Sequence, residues 1–417
     1  MTFMVFLAGV AFLNVTIYFM HWFYKSKIPE KIPEQFKVRV IDANLRFFKN
    51  VVWFLQLTGL SYPFSPLVRW LGERWLLLQQ TGWPWWRYTG SSLKVRSAVL
   101  SGVPVRIYEP VESLHNTRRP VLIYIHGGAF AWLSAELYES FTSRISELTG
   151  AVVISVNYRL CPEVSYPAPR DDCVAVVKHV LTQGQGMRLD TSRMAVGGDS
   201  AGGNLSASLA LEFKDKLKLQ LLLVPALQPL DTLTSSAIEN QRYMCESIHD
   251  RNTFQAYLMY GGLSLEHLPS LLANSHVSTT VKKQMFEYKV NHNALMVPEI
   301  IRTPDLKKRN QDCSFGEEKV WDELKDIFLD PYFSPLLADD SWLSKTPTCY
   351  VMTAGYDVIR DDGVMYFTRL LNAGVKATLK NYDEGFHNSL MFHKGPLKLE
   401  QGERILFDIV DFLKENL

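Results

Sequence analysis

Six short apolar runs, separated by helix-prone stretches, divide this chain from about residue 100 to its end: Val121 to Ile125, Ala151 to Val156, Met194 to Gly197, Leu221 to Val224, Cys349 to Thr353 and Thr378 to Tyr382. Each has the length of a strand and is too short for a buried helix. Apart from Thr378 to Tyr382, which holds Lys380 and Asn381, the runs are continuously apolar and do not alternate with polar residues, which means that both faces of those strands are covered. That is the pattern of a mostly parallel sheet flanked by helices, so the spacing predicts an α/β fold. Between Asp231 and about Asp330 the alternation fails, which predicts a large insertion after one strand, a lid or a substrate-side cap. The chain then closes on a helix whose apolar face is Ile405, Leu406, Ile409, Val410 and Leu413.

The front of the chain reads differently. Phe3 to Tyr24 is apolar apart from Asn14, Thr16 and His21. As a helix it would be roughly 33 Å long, enough to cross a hydrocarbon core of about 30 Å. No basic stretch precedes it and no small-residue cleavage site follows, so it reads as one retained N-terminal transmembrane helix and not as a cleaved signal. Tyr18, Trp22 and Tyr24 form an interfacial belt at its far end, followed by Lys25 and Lys27 as a charged stop. After a hinge, Val38, Ile41, Leu45, Phe48 and Val52 recur at helical steps, and Trp70, Trp75, Trp83, Trp85 and Trp86 cluster behind them. These tryptophans read as core aromatics of an N-terminal helical cap, with lipid contact as the alternative. The organisation is thus a membrane anchor over 1–27, a helical cap over 28–99 and a catalytic domain over 100–417, with its insertion at about 231–330.

Composition narrows the function by exclusion. With 44 Lys and Arg against 43 Asp and Glu over 417 residues, and no long run of one sign, nothing matches a phosphate backbone, so no nucleic-acid partner is expected. Five cysteines, Cys161, Cys173, Cys245, Cys313 and Cys349, lack any metal-ligand spacing, so no metal is expected. They leave room for one disulfide and not for a framework.

The chemistry is carried by Gly198-Asp199-Ser200-Ala201-Gly202, directly after one apolar run and directly before the helix-prone stretch Asn204 to Phe213. A serine between strand and helix on so tight a turn needs glycines on both sides, because side chains there would collide. Ser200 is the candidate nucleophile, with Gly198, Asp199 and Gly202 flanking it. At the end of an earlier run stands His126-Gly127-Gly128-Ala129, where glycines let backbone amides approach an oxygen gaining negative charge. The expected donors are the amides of Gly127, Gly128 and Ala201. In this chain order the acid and the histidine follow the serine, which selects Asp357 just past one run and His387 just past the next. Asp361 and Asp362 read as residues that cap or solvate the following helix, and His393 reads as a surface histidine.

Taken together, IHGGAF, NYRLCPE, YPAP followed by Asp171 and Asp172, GGDSAGGN, SPLLAD, GYDVIRDDG and EGFHN resemble the hormone-sensitive lipase group of α/β-hydrolases. Within it the chain resembles the arylacetamide deacetylase-like membrane esterases. The resemblance implies an α/β-hydrolase fold and carboxylic ester hydrolysis through Ser200, Asp357 and His387, without a cofactor. It also implies a single-pass endoplasmic reticulum membrane protein with a lumenal catalytic domain, while the apolar anchor and front half favour a lipophilic ester or amide substrate. Three positions depart from the pattern: Ala129 replaces a third glycine, Cys161 stands where alanine is usual, and Asn388 follows the histidine where glycine is frequent. Lysines after the apolar run argue for the opposite topology, and the sequons at Asn14 and Asn204 are poorly placed to report it. A catalytically silent binding protein on the same fold is the rival, and the presence of His387 argues against it.

Overall fold

The computed structural model describes residues 16–17, 19–21, 23–81, 92–111, 118–243, 251–290, 292–297, 300 and 316–417. Eight strands form one sheet: β1 (Leu93–Leu100), β2 (Val103–Pro110), β3 (Arg119–Ile125), β4 (Val152–Val156), β5 (Leu189–Asp199), β6 (Leu219–Leu223), β7 (Thr348–Tyr356) and β8 (Ala377–Phe386). Their order is β1-β2-β4-β3-β5-β6-β7-β8. The pairings β1 with β2 and β2 with β4 are antiparallel, and all the others are parallel. The six expected runs are β3 to β8. The sequence reading lacked β1 and β2, because Lys94 and Arg96 in one and Pro104 and Arg106 in the other break the apolar character that marks the central strands. β1 starts inside the stretch expected to be helical cap, and only its two end residues are buried.

The continuous apolar character of β3 to β7 follows from a core on each face. Ile123 and Ile125 join the cluster that holds Val176, Val177, Leu205 and Val364, whereas Leu122 and Tyr124 join the one that holds Phe141, Ile145, Ile405 and Ile409. Successive β residues point to opposite faces, so a strand buried on both sides has no polar register. Among the described residues, the helices that frame the sheet and its approaches include α1 (Gln35–Leu57), α2 (Pro66–Thr81), α3 (Glu139–Thr149), α4 (Ala168–Gln183), α5 (Ala201–Glu212), α6 (Ser235–Asn240), α7 (Arg251–Gly261), α8 (Glu318–Phe328), α9 (Arg360–Asn372) and α10 (Glu400–Asn416), with further helical segments between β6 and β7, Thr279–Tyr288 among them. All five apolar residues expected on the last helix are buried in α10. The described part of the insertion between β6 and β7 is largely helical and contributes α6, α7 and α8.

Among the described residues no helix is long and apolar enough to cross a membrane. Most of the apolar run from Phe3 to Tyr24 lies outside the described residues, as do Trp83, Trp85, Trp86, Cys245 and Cys313. Cys161, Cys173 and Cys349 are buried free thiols. Asn204 is fully buried, its amide donating to the carbonyls of Ala226 and Phe333, so its sequon is inaccessible.

Candidate active site

Parallel strands deliver their C-terminal ends to one edge of the sheet, and the candidate residues follow from there. Ser200 caps β5 with φ 54° and ψ −117°, a left-handed conformation that costs a side-chain-bearing residue about 1–3 kcal/mol. The surroundings enforce it. A Cβ at Gly202 would run into the carbonyl oxygen of Ile125, and one at Gly198 would meet the same oxygen and lie 2.6 Å from that of Gly202. Ser200 N–H donates to Leu223 at 2.9 Å and its carbonyl accepts from Ala226 at 3.2 Å, which ties the turn to the end of β6. The glycines are therefore required by how tightly the turn folds onto β3.

Asp357 follows β7 and His387 follows β8, and the structure brings them together with His387 Nδ1 2.8 Å from Asp357 Oδ2. An ionised carboxylate only accepts, so Nδ1 carries the proton and Nε2 is left as the basic nitrogen. Asp357 is fully buried and is held from the other side, with Oδ1 accepting from Ile359 N–H at 2.9 Å and its carbonyl from Asn240 of α6 at 3.0 Å. Burial alone would lower the His387 pKa. The charge and hydrogen bond of Asp357, with a contribution from Asp199, outweigh it and raise the pKa above 6.5.

Asp199 does more than flank the serine. Fully buried, it accepts from the hydroxyls of Tyr138 at 2.7 Å and Tyr124 at 2.9 Å and from Gly127 N–H at 3.1 Å. Burial raises its pKa, opposed by these donors. The expectation for Gly127 is corrected here, because its amide is spent on Asp199 and does not face the cavity. What Gly127 contributes is a close approach, since a Cβ there would collide with the Asp199 carboxylate. Gly128, at φ 106°, lines the cavity with Ala129, Ser200, Ala201 and His387. His126 is buried and stacks on Tyr158 at 4.4 Å, and burial pushes its pKa down to about 4, which keeps the ring neutral under the loop.

Two further readings are corrected. His393 is buried, with Nε2 3.0 Å from the Ser140 hydroxyl, and burial lowers its pKa to about 4. Asp361 and Asp362 lie in α9 as expected and yet are buried. Asp361 pairs with Arg360 at 2.9 Å and accepts from Ser236 N–H, while Asp362 accepts from Leu227 N–H and Gln228 at 2.9 Å each. Burial pushes Asp362 up to about 7. These carboxylates lace the insertion to the sheet, a role that spacing cannot reveal because the partners Ser236, Leu227 and Gln228 are more than a hundred residues away.

The cavity at this edge has a volume of about 370 Å³. Its walls are mostly apolar: Leu45, Phe48 and Val52 of α1, Val68, Trp75 and Leu76 of α2, and Phe254 and Tyr257 of α7. Polar side chains also line it, among them Lys49, Arg69, Glu73, Gln228, Asp231 and Asp362. No group of His, Cys, Asp or Glu among the described residues is arranged to hold a metal ion.

Comparison with known proteins agrees with this architecture. Residues 122–282 and 270–391 match the family described as the alpha/beta hydrolase fold. Over 405 residues the chain is 30% identical to neutral cholesterol ester hydrolase 1 of Bos taurus, covering 94% of this chain and 95% of that one. It is 32% identical over 400 residues to arylacetamide deacetylase of Bos taurus, covering 94% of each. Among solved structures an esterase of Pyrobaculum calidifontis superposes with a TM-score of 0.57 at 26% identity, covering 84% of this chain and 92% of that one. With a strained serine turn and a buried His–Asp pair at one edge of its sheet, and with relatives along nearly its whole length, the chain belongs to the α/β-hydrolase family, in the group of carboxylic ester hydrolases that holds these relatives.

Proposed function

We propose that the protein hydrolyses carboxylic esters of lipophilic alcohols or acids through an acyl-enzyme on Ser200. The observation that carries this reading is the His387 Nδ1 to Asp357 Oδ2 contact of 2.8 Å beside a cavity that Ser200 and His387 both line. His387 Nε2 takes the Ser200 proton as the hydroxyl oxygen attacks the ester carbonyl, and returns it to the departing alcohol. Water then repeats the cycle on the acyl-enzyme. Asp357 stabilises the imidazolium that forms between these transfers. The developing oxyanion is received by the amides of Gly128 and Ala201, with Gly127 N–H held by Asp199. An aryl amide reaches the same tetrahedral intermediate and is the second substrate class. No step calls for a cofactor.

The apolar walls on α1, α2 and α7 favour a lipophilic substrate, which fits attachment to a membrane through residues 3–24 and residence in the endoplasmic reticulum with the catalytic domain in the lumen. Replacing the nucleophile tests the chemistry. Ser200→Ala should lower kcat on a short p-nitrophenyl ester by at least about a thousandfold, with the circular dichroism unchanged. A variant that keeps more than about a hundredth of the rate would remove Ser200 from the mechanism.

A further inference from the structure

The outer surface of the α1–α2 hairpin is apolar on the side opposite the cavity. Along α1, Leu45, Phe48 and Val52 line the cavity, whereas Trp53, Phe54 and Leu57 point away from it and are more than half exposed. The turn and α2 continue the surface with Leu60, Leu67 and Trp70, of which Leu60 is 71% exposed. An amphipathic helix in a soluble protein keeps its second face polar, and this hairpin does not. We infer that the outer face of the α1–α2 hairpin, around Trp53, Leu57, Leu60 and Trp70, beds into the surface of a phospholipid bilayer and brings the cavity mouth to the lipid.

Three observations favour a bilayer over a protein partner or a second copy. Over residues 43–72 the charged side chains are Arg46, Lys49 and Arg69 and none is acidic, with Arg46 paired to Asp42 and Arg69 to Glu163, so the hairpin adds no unpaired carboxylate of its own to repel anionic lipid headgroups. Tryptophans stand beside leucines, the mixture that settles at the boundary of headgroup and acyl chain. Finally, the hairpin turn is pinned against the cavity wall. Phe64 stacks on Trp132 at 4.8 Å, Trp132 donates to the Pro63 carbonyl at 3.0 Å, and Pro63 and Trp132 both line the cavity. A lipid-bedded face held there gives a membrane-dissolved ester a route to Ser200 without crossing water, a consequence that rests on the proposed esterase reading, although the docking itself does not.

Photocrosslinking separates the two. The full chain, with benzoylphenylalanine in place of Leu57, of Leu60 or of Leu371, is incorporated into phosphatidylcholine vesicles containing phosphatidylserine. Leu371, exposed near the end of α9, serves as the control because α9 runs from the site edge of the sheet to the opposite edge. Lipid adducts are expected at 57 and 60 in at least about tenfold excess over 371. Equal yields at all three positions, or adducts at 57 and 60 to another copy of the chain or to another of its segments, overturn the proposal. The catalytic consequence is read on Trp53→Ser/Leu57→Ser/Leu60→Ser. Hydrolysis of a soluble p-nitrophenyl ester should stay within about twofold, while that of a long-chain ester dissolved in the vesicles should drop about tenfold or more. Equal rates on the vesicle ester before and after substitution contradict the route. An unsubstituted chain inactive on both esters refutes the esterase reading and leaves the crosslinking result to decide the docking.

Discussion

At the scale of single residues the site works by exclusion of alternatives. Asp357 has one oxygen on Ile359 N–H and the other on His387, so the ring has one orientation and one neutral tautomer. Because the net effect of its surroundings raises the His387 pKa, the imidazolium persists to higher pH than a free histidine would allow. The base must be neutral, so kcat/KM should rise with pH through an apparent pKa above 6.5 and fall away below it. Asp357→Asn removes the charge that raises the pKa. It should lower kcat by about three to four orders of magnitude and move the residual profile to lower pH. His393→Ala should leave the apparent pKa in place and cost about 1–3 kcal/mol of stability by stranding Ser140, which a pH-rate profile and a urea melt would resolve. An unchanged profile in the Asp357 variant, or a shifted one in the His393 variant, would exchange their roles. The placement of Ser200, Asp357 and His387 at one edge of the sheet was legible because each stands just past a predicted strand. The duty of Gly127 was not, since its amide is claimed by an aspartate 72 residues away that spacing shows only as a neighbour of the serine.

At the scale of elements, the junction of β3, β5 and α5 leaves no room for a methyl group. Gly202→Ala should therefore destabilise the protein by about 1–3 kcal/mol or more, because its Cβ meets backbone oxygens of Ile125 and His126 that cannot move without displacing β3. Gly186→Ala, whose Cβ would find nothing nearer than an ordinary contact at 3.4 Å, should change stability by less than about 0.5 kcal/mol. Thermal melts of the pair check this, and equal midpoints would deny that packing dictates the glycines. Central strands were readable because burial on both faces makes them uniformly apolar. β1 and β2 were not, since an antiparallel edge strand such as β1, LKVRSAVL, with charges on its open side, has no signature that separates it from a loop. Helical periodicity located α1 and α10 but could not say that α1 turns apolar side chains both toward the cavity and toward solvent.

At the scale of the whole molecule, the sheet edge that holds the candidate catalytic groups is roofed by the hairpin and the insertion, and the N-terminal segment precedes that roof in the chain. If residues 3–24 anchor the protein as proposed, the full chain should stay with the membrane in alkaline carbonate, whereas a chain beginning at Ile28 should be released or held only weakly. Protease treatment of intact microsomes should spare the catalytic domain until detergent is added, and digestion without detergent would place it in the cytosol, on the side that Lys25, Lys27 and Lys31 favour. Topology was the least legible property, because flanking charges and family resemblance point opposite ways. The proposed chemistry depends on an activated serine, and one reagent interrogates it. Incubated with a fluorophosphonate probe and mapped by mass spectrometry, the folded protein should carry a single phosphonyl adduct on Ser200, abolished in His387→Ala. A folded protein that stays unmodified, or one modified at another residue while Ser200 is untouched, would contradict the account.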